Sequence, residues 1–463
     1  KHDLTVIFTL FAFEPPMWEG SNPYLDPRCL QAQKEYVAAF AQRLKDFNNL
    51  IWDLINEPAF AGQGTTWSCR PYGDEWEARE WRKWIADRHG KDVSQVWHTT
   101  PSDNCTVPSL ADFGEHQTYQ GMTPLKAFDY RLFAQEVFSK WIRSMTSVIR
   151  QNGNPKQLIT VGQDEGGNDE RPSPQFHWKD VDFTCTHTWW ENDNLLWDGL
   201  LAGISGKPML VEETGIMPLM NPEHLDRRTE EDYRNLLERK FVMALASGGA
   251  GAIQWIWNTN IYMVTDCEVA IGLHRGDLTR KPEYEVLPSM AKFIREARRF
   301  MGDRQPEDVC MIIPSSNILG PRDLATDATR RCVRVMHYDL GVPMRAVGEY
   351  SLEKLGNPKL AVLPSPRSFS QNAWNKLMEA VESGMTLLVT GPIEWDEYWR
   401  PIHRLSSYEL SGDTRPVSLV EQAIIFGEEY QLIFGNKKTC RVDKAVVGGQ
   451  SGFVKIQTVG AGK

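Results

Sequence analysis

The sequence predicts an α/β chain: a (β/α)8 barrel represented by its strands three to eight, then a smaller doubly wound α/β unit and the start of a β-sandwich. Three observations carry this. Short apolar runs recur through the first half of the chain, helical patterns separate them, and two of the runs end in carboxylates. Repeated alternation of strand and helix is the signature of parallel sheets with helices packed on their faces.

The runs, in order, are Leu4–Phe11, Leu50–Ile55, Leu158–Val161, Phe183–Thr186, Pro208–Glu212 and Ala252–Trp257. Each is short and nearly continuous in its apolar character, as strands buried on both faces are. Gln31–Phe47, Phe128–Arg150 and Glu230–Ala246 between them carry the helical period. Six strands do not close an eight-stranded barrel. Alone they would leave two edges of unpaired backbone groups, so another polypeptide segment is expected to supply the first two strands.

After about Arg304 the texture changes. Val309–Ile313, Met344–Val347, Leu360–Pro364 and Met385–Thr390 alternate with helices near Ala325–Asp339 and Ser370–Ser383. This is the pattern of a doubly wound unit. Beyond Ser406 the segments Ala423–Phe426, Tyr430–Phe434 and Phe453–Thr458 are β-like. The expected divisions are therefore 1–303, with an insertion over 59–118, then 304–405 and 406–463.

Composition mainly excludes. A formal net charge of −10 over 463 residues argues against a nucleic-acid backbone as partner. The eight cysteines show no CxxC or Cys/His ligand spacing, so neither a metal nor a cofactor is expected. Phe241–Trp257 is broken by Ser247, glycines and Gln254 and reads as a helix running into a strand, so no membrane partner is expected. The 17 tryptophans are informative, because Trp18, Trp67, Trp97, Trp189 and Trp190 lie among polar residues. Rigid rings with a polar edge suit the CH face of a sugar, although core packing uses the same residues.

Two strand ends carry the candidate chemistry. Leu50-Ile51-Trp52-Asp53-Leu54-Ile55-Asn56-Glu57-Pro58 runs from a buried strand into an amide, a carboxylate and a strand-ending proline. Pro208-Met209-Leu210-Val211-Glu212-Glu213-Thr214-Gly215 ends likewise in carboxylates, followed by a glycine. Strict alternation puts Glu212 and Glu213 on opposite faces and does not choose between them. A barrel allots roughly 31 residues to each strand–helix unit, so three units plus the insertion predict a separation of about 153. The observed separation of Glu57 and Glu213 is 156 residues, which places them on strands four and seven. In such a barrel the carboxyl ends of the strands form the catalytic face.

With these residues in place, the chain resembles the clan of β-glycosidases that carry an Asn-Glu acid/base on strand four and a Glu nucleophile on strand seven. Asn56-Glu57-Pro58 and Glu213-Thr214-Gly215 carry the match, and the resemblance favours Glu213 over Glu212. Trp81-Arg82-Lys83-Trp84-Ile85-Ala86-Asp87-Arg88-His89-Gly90 resembles the helix inserted after strand four in family 42 β-galactosidases and related trimeric β-mannosidases. Within the barrel, similarity to family 5 is almost as close, and the proline after Glu57 is more typical of that family.

The resemblance implies a retaining exo-β-glycosidase of β-galactosides or β-mannosides, with a family 5-type endo-β-glycanase as the alternative and a non-catalytic glycan-binding barrel as the third reading. It implies a flavodoxin-like trimerisation unit after Arg304, and hence a homo-oligomer. Asn56 would then bind the sugar 2-OH, and Trp255, or its rival Trp257, would floor the sugar site. His187, at the end of its strand in Thr186-His187-Thr188-Trp189, either meets Glu213 or the sugar or is a satisfied core histidine. Gln163, Asp164 and Glu165 either bind hydroxyls or cap a helix. Trp18 and Trp189 are further candidate sugar contacts, Trp18 because Glu14 to Trp18 follow the third strand.

Overall fold

A computed structural model describes residues 4–62, 68–90, 93–98, 105–113, 124–165, 171–189, 192–223, 225–263, 267–300, 306–320, 325–391, 393, 395–408, 413–416, 420–433, 439–442, 454 and 456–463. The chain divides into two compact units, Lys1–Pro306 and Glu307–Lys463.

The first unit is built from parallel strands and helices. Strand β1 (Val6–Thr9) leads to helix α1 (Pro27–Leu44). Asp26 starts this helix by accepting from the Arg28 N–H, and Pro27 supplies a ready-made first-turn φ. Its inward stripe is Cys29, Gln33, Val37 and Ala41, spaced four apart as a buried helix face requires. Strand β2 (Leu50–Asn56) lies between β1 and β3 (Leu158–Gly162), all parallel. Trp52 is fully buried in it, and its indole N–H donates to Gln157 at 2.8 Å.

A second parallel trio consists of β4 (Thr184–Thr188), β5 (Met209–Thr214) and β6 (Ala252–Gln254). The trios meet between β3 and β4, where Asp182 N donates to Ile159 O at 2.8 Å and His187 N to Gln163 O at 2.6 Å. The six strands therefore lie side by side in chain order, with their carboxyl ends on one side. Helices α2 (Glu75–His89), α3 (Pro124–Asn152), α4 (Leu195–Ala202), α5 (Glu230–Ala246) and α6 (Val286–Ala297) complete the unit. Among the described residues, β1 and β6 each pair on one side only.

One expectation shifts in detail. The last run stops at Gln254, because the chain leaves the sheet there: Leu273 N donates to Ile256 O and His274 N to Trp257 O. In α2, Trp81 stacks on Trp84 at 5.7 Å and on Trp97 at 6.0 Å, so these rings form a local core.

In the second unit β7 (Val309–Ile313), β8 (Arg345–Gly348), β9 (Leu360–Pro364) and β10 (Thr386–Thr390) form one parallel sheet in the order β8-β7-β9-β10. That is the order of a doubly wound sheet that reverses direction after its first pair. The helix expected over Ala325–Asp339 is α-helical to Arg334 and continues as a π-helical turn over Val335–Asp339. Farther on there are two antiparallel pairs, Asp413–Pro416 with Thr439–Val442 and Val420–Ile425 with Glu428–Ile433. Of the strand expected over Phe453–Thr458, positions 453 and 455 lie outside the described residues and the remainder forms no strand. Among the described residues no helix is long and apolar enough to cross a membrane.

Candidate active site

The carboxyl ends of β2, β4 and β5 bring Glu57, His187, Trp189 and Glu213 together. His187 Nδ1 lies 3.2 Å from Glu57 Oε1 and 3.6 Å from Glu213 Oε2. The His187 nitrogen and one oxygen from each glutamate all fall within 4.8 Å of one another. The Trp189 indole N–H donates to Glu213 Oε1 at 3.0 Å. Glu57 and Glu213 are thus neighbours across the sheet, on strands three apart, as their sequence separation predicts.

Backbone irregularities set this geometry. Opposite β3, the stretch Asp53 to Asn56 spans the two-residue step from Thr160 to Gly162. Opposite β4, Thr186 pairs with Val211 but His187 pairs with Glu213, which leaves Glu212 as the extra residue. Val211 to Thr214 shows a third such shift against Ala252 to Gln254. A bulge re-aims side chains and locally breaks the two-residue period. The expectation that Glu212 and Glu213 take strictly opposite faces is therefore corrected: both sense the His187 charge. Their neighbours still differ, since Glu212 interacts with Asp53 and Cys185 whereas Glu213 faces His187, Trp189 and Glu57. At Glu57 the backbone turns out of the ladder with φ 46°, a conformation uncommon for a residue with a Cβ.

The electrostatics follow from packing several acids around one cation. Burial pushes the Glu213 carboxyl up to about 7; His187 and the Trp189 hydrogen bond oppose the rise, while the Glu57 charge adds to it. For His187 burial works towards neutrality, but the hydrogen bond to Glu57 and the charges of Glu213 and Glu212 outweigh it and raise the imidazole to about 9. The ring lies between the two carboxyl groups, which favour its charged form. Behind it, burial and the Asp53 charge raise Glu212 to about 8. The same three groups are spaced to chelate a cation. A metal would have to displace the imidazolium proton, because only neutral imidazole is a ligand.

The remaining candidates lie around this centre with different engagements. The Asn56 backbone is locked between Phe11 O and Phe13 N, at 2.9 and 2.8 Å. Gln163 is buried, and its amide donates to Asp164 O at 3.2 Å. Glu165 has φ 39° and lies 3.5 Å from Arg171, which also pairs with Asp164. Trp255 follows β6, donates its backbone N–H to Thr214 O at 2.9 Å and its indole N–H to Glu268 at 3.2 Å. Trp257 is 62% exposed and lies against His274, with ring centroids 4.7 Å apart. Trp18 packs on Tyr36 at 5.2 Å and Phe11 at 6.3 Å.

Sequence reasoning missed Asp53, Glu212 as a partner of the buried cluster, and Lys240. Asp53 carried a signal, being the one charge inside an otherwise apolar strand. Lys240 also carried one, since it occupies the stripe Tyr233, Leu237, Lys240, Ala244 on α5.

The fold defines a class, that of the parallel-stranded α/β architecture seen in family 42 glycoside hydrolases. The chain is similar to the β-galactosidase from Bacillus circulans sp. alkalophilus, at 14% identity and a TM-score of 0.71 over 96% of this chain and 69% of that one. It is similar to the β-galactosidase from the psychrophilic Marinomonas ef1, at 13% identity and a TM-score of 0.70 over 92% of this chain and 70% of that one. An exo-β-1,4-mannosidase from Opitutaceae bacterium strain TAV5 is similar at 15% identity and a TM-score of 0.52, over 98% of this chain and 84% of that one. No family model matches the sequence, and neither does any curated protein.

Proposed function

We propose that this chain is a retaining exo-β-glycosidase acting on terminal β-galactosides or β-mannosides, with Glu57 as acid/base and Glu213 as nucleophile. One observation carries the reading: carboxylate oxygens of Glu57 and Glu213 lie within 4.8 Å of each other at the ends of strands three apart. Retaining enzymes need their carboxyl groups about 5–5.5 Å apart, whereas inverting ones leave room for a water between them.

In the first step Glu213 attacks the anomeric carbon, the bond to the leaving oxygen breaks, and that oxygen takes the proton of Glu57. In the second, water attacks the same carbon, gives its proton to Glu57, and releases Glu213. Asn56 holds the sugar 2-OH, and Trp255 supplies the apolar floor, with Trp257, Trp189, Trp18, Gln163 and Glu165 as further contacts. The six ordered strands belong to a (β/α)8 barrel. The flavodoxin-like unit expected over 304–405 mediates assembly, a trimer being the expected state. The similarity to β-galactosidases and a β-mannosidase supports a glycoside as substrate.

A panel of p-nitrophenyl glycosides tests the proposal. Release of nitrophenol from a β-galactoside or β-mannoside, with the first-formed sugar retaining the β configuration by proton NMR, is the expected result. An α-configured first product sinks the retaining assignment, and cleavage restricted to internal bonds of a polymer transfers the reading to an endo-β-glycanase.

His187 gives a pH prediction. The acid limb of kcat/KM reports ionisation of the nucleophile, and for Glu213 it is expected near pH 7. A neighbouring cation favours the ionised carboxylate, so His187→Asn removes that help and moves the limb to higher pH. A limb that stays in place would show that the imidazole is not charged when Glu213 titrates.

A further inference from the structure

We infer that Lys240 is a positioning residue for the proposed nucleophile: through three backbone carbonyls it fixes the strand ends that hold Trp189 against Glu213. This rests on the reading of Glu213 given above.

The side chain is 1% exposed on α5, and its Nζ reaches Thr188 O at 3.0 Å, Trp189 O at 3.2 Å and Gly215 O at 3.2 Å. Three acceptors use all three ammonium hydrogens. Each carbonyl is within two residues of a group in the site: Thr188 follows His187, Trp189 donates to Glu213, and Gly215 is two residues past Glu213. The tie joins β4 to β5 where Thr214 Oγ1 also donates to Thr188 O, at 2.9 Å.

Gly215 shows how little freedom this leaves. A Cβ on Gly215 would come within 2.5 Å of Cζ3 of Trp189, so the indole lies directly on the backbone that Lys240 holds. If the two strand ends separate, the Trp189 N–H leaves Glu213.

A buried ammonium is a poor choice for packing alone. Desolvating it is costly, and an apolar side chain of similar length fills such a place at lower cost. The charged groups acting on it are Asp198 and Glu165, which favour the charged form, and Arg228, which opposes it; burial is the largest influence and lowers the amine to about 7. The stripe of α5 is otherwise Tyr233, Leu237, Phe241 and Ala244, which would anchor the helix without a charge.

The test is a double-mutant cycle on p-nitrophenyl β-D-galactopyranoside, or on the β-mannoside if that is the cleaved member of the panel. Lys240→Met is expected to lower kcat by roughly tenfold to a hundredfold, the scale of a misplaced reacting group, with little change in KM. It should also move the acid limb of kcat/KM upward, because the Trp189 hydrogen bond favours ionised Glu213. Trp189→Phe should reproduce that shift, and the double variant should add nothing further. Lys240→Gln keeps two donors, so it should fall between wild type and Lys240→Met, and it keeps the test open if the methionine variant does not fold. Additive shifts would show that Lys240 acts on Glu213 independently of Trp189, and a loss of thermal stability with an unmoved limb would assign it to stability alone; either result overturns the inference. Full activity in Glu213→Ala would instead remove the nucleophile assignment itself, which separates the two failures.

Discussion

Glu213→Ala is expected to lose hydrolysis of p-nitrophenyl β-glycosides by roughly 10⁴-fold or more, since nucleophile and acid/base act as one unit. The physical reason is specific. In the proposed mechanism no covalent bond to the anomeric carbon then forms, because Glu57 serves the leaving oxygen and cannot also act as nucleophile. The cavity left by the side chain admits a small anion, and azide should attack in its place. Azide then displaces the aglycone directly and gives the α-glycosyl azide, the inverted product, while Glu57 still protonates a poor leaving group. Measuring rate against azide concentration and assigning the product by NMR checks both halves. Wild-type activity in this variant would show that another carboxylate is the nucleophile, and Glu212 is then the first to examine.

Glu57→Ala should behave differently, and the contrast carries the assignment. General acid catalysis is worth roughly 10²–10⁴ for a leaving group that needs a proton and little for one that does not. An alkyl or sugar aglycone should therefore lose that full factor. A dinitrophenyl glycoside should still transfer its sugar to Glu213, giving a burst of dinitrophenol followed by slow turnover, because no base remains to activate water. Azide needs no base, so it should speed the second step and yield the β-glycosyl azide. Equal losses with good and poor leaving groups would mean that Glu57 acts on something other than proton transfer.

How much of this was legible in the sequence depends on which period a residue obeys. Helix Glu230–Ala246 was readable to its ends, because Thr229 and Asp232 form a capping box ahead of a regular apolar stripe. The strands Val309–Ile313 and Leu360–Pro364 were equally clear, being short apolar runs with sharp ends. Glu57 and Glu213 stood out as charges at the ends of such runs, and their separation tied them to strands three apart. Less was visible where the backbone departs from regular geometry. Alternation failed at Glu212 because one extra residue in β5 pairs with nothing opposite, and no propensity marks such a bulge. The strand end at Gln254 was set by hydrogen bonds to residues 273 and 274, which sequence neighbours do not reveal. His187 was readable as a strand-end residue, but its charge depends on carboxylates 130 and 26 positions away.

The extra residue in β5 bears on how such a site can be altered over evolution or by design. Substitutions at Glu212 and Glu213 exchange chemistry while the register stays fixed. Deleting one residue there acts on a different variable, because the ladder between β4 and β5 would become regular and every later side chain would turn to the other face. Insertions and deletions at this one height, rather than point changes, are therefore the steps by which a sheet of this kind gains or loses a pair of facing acids.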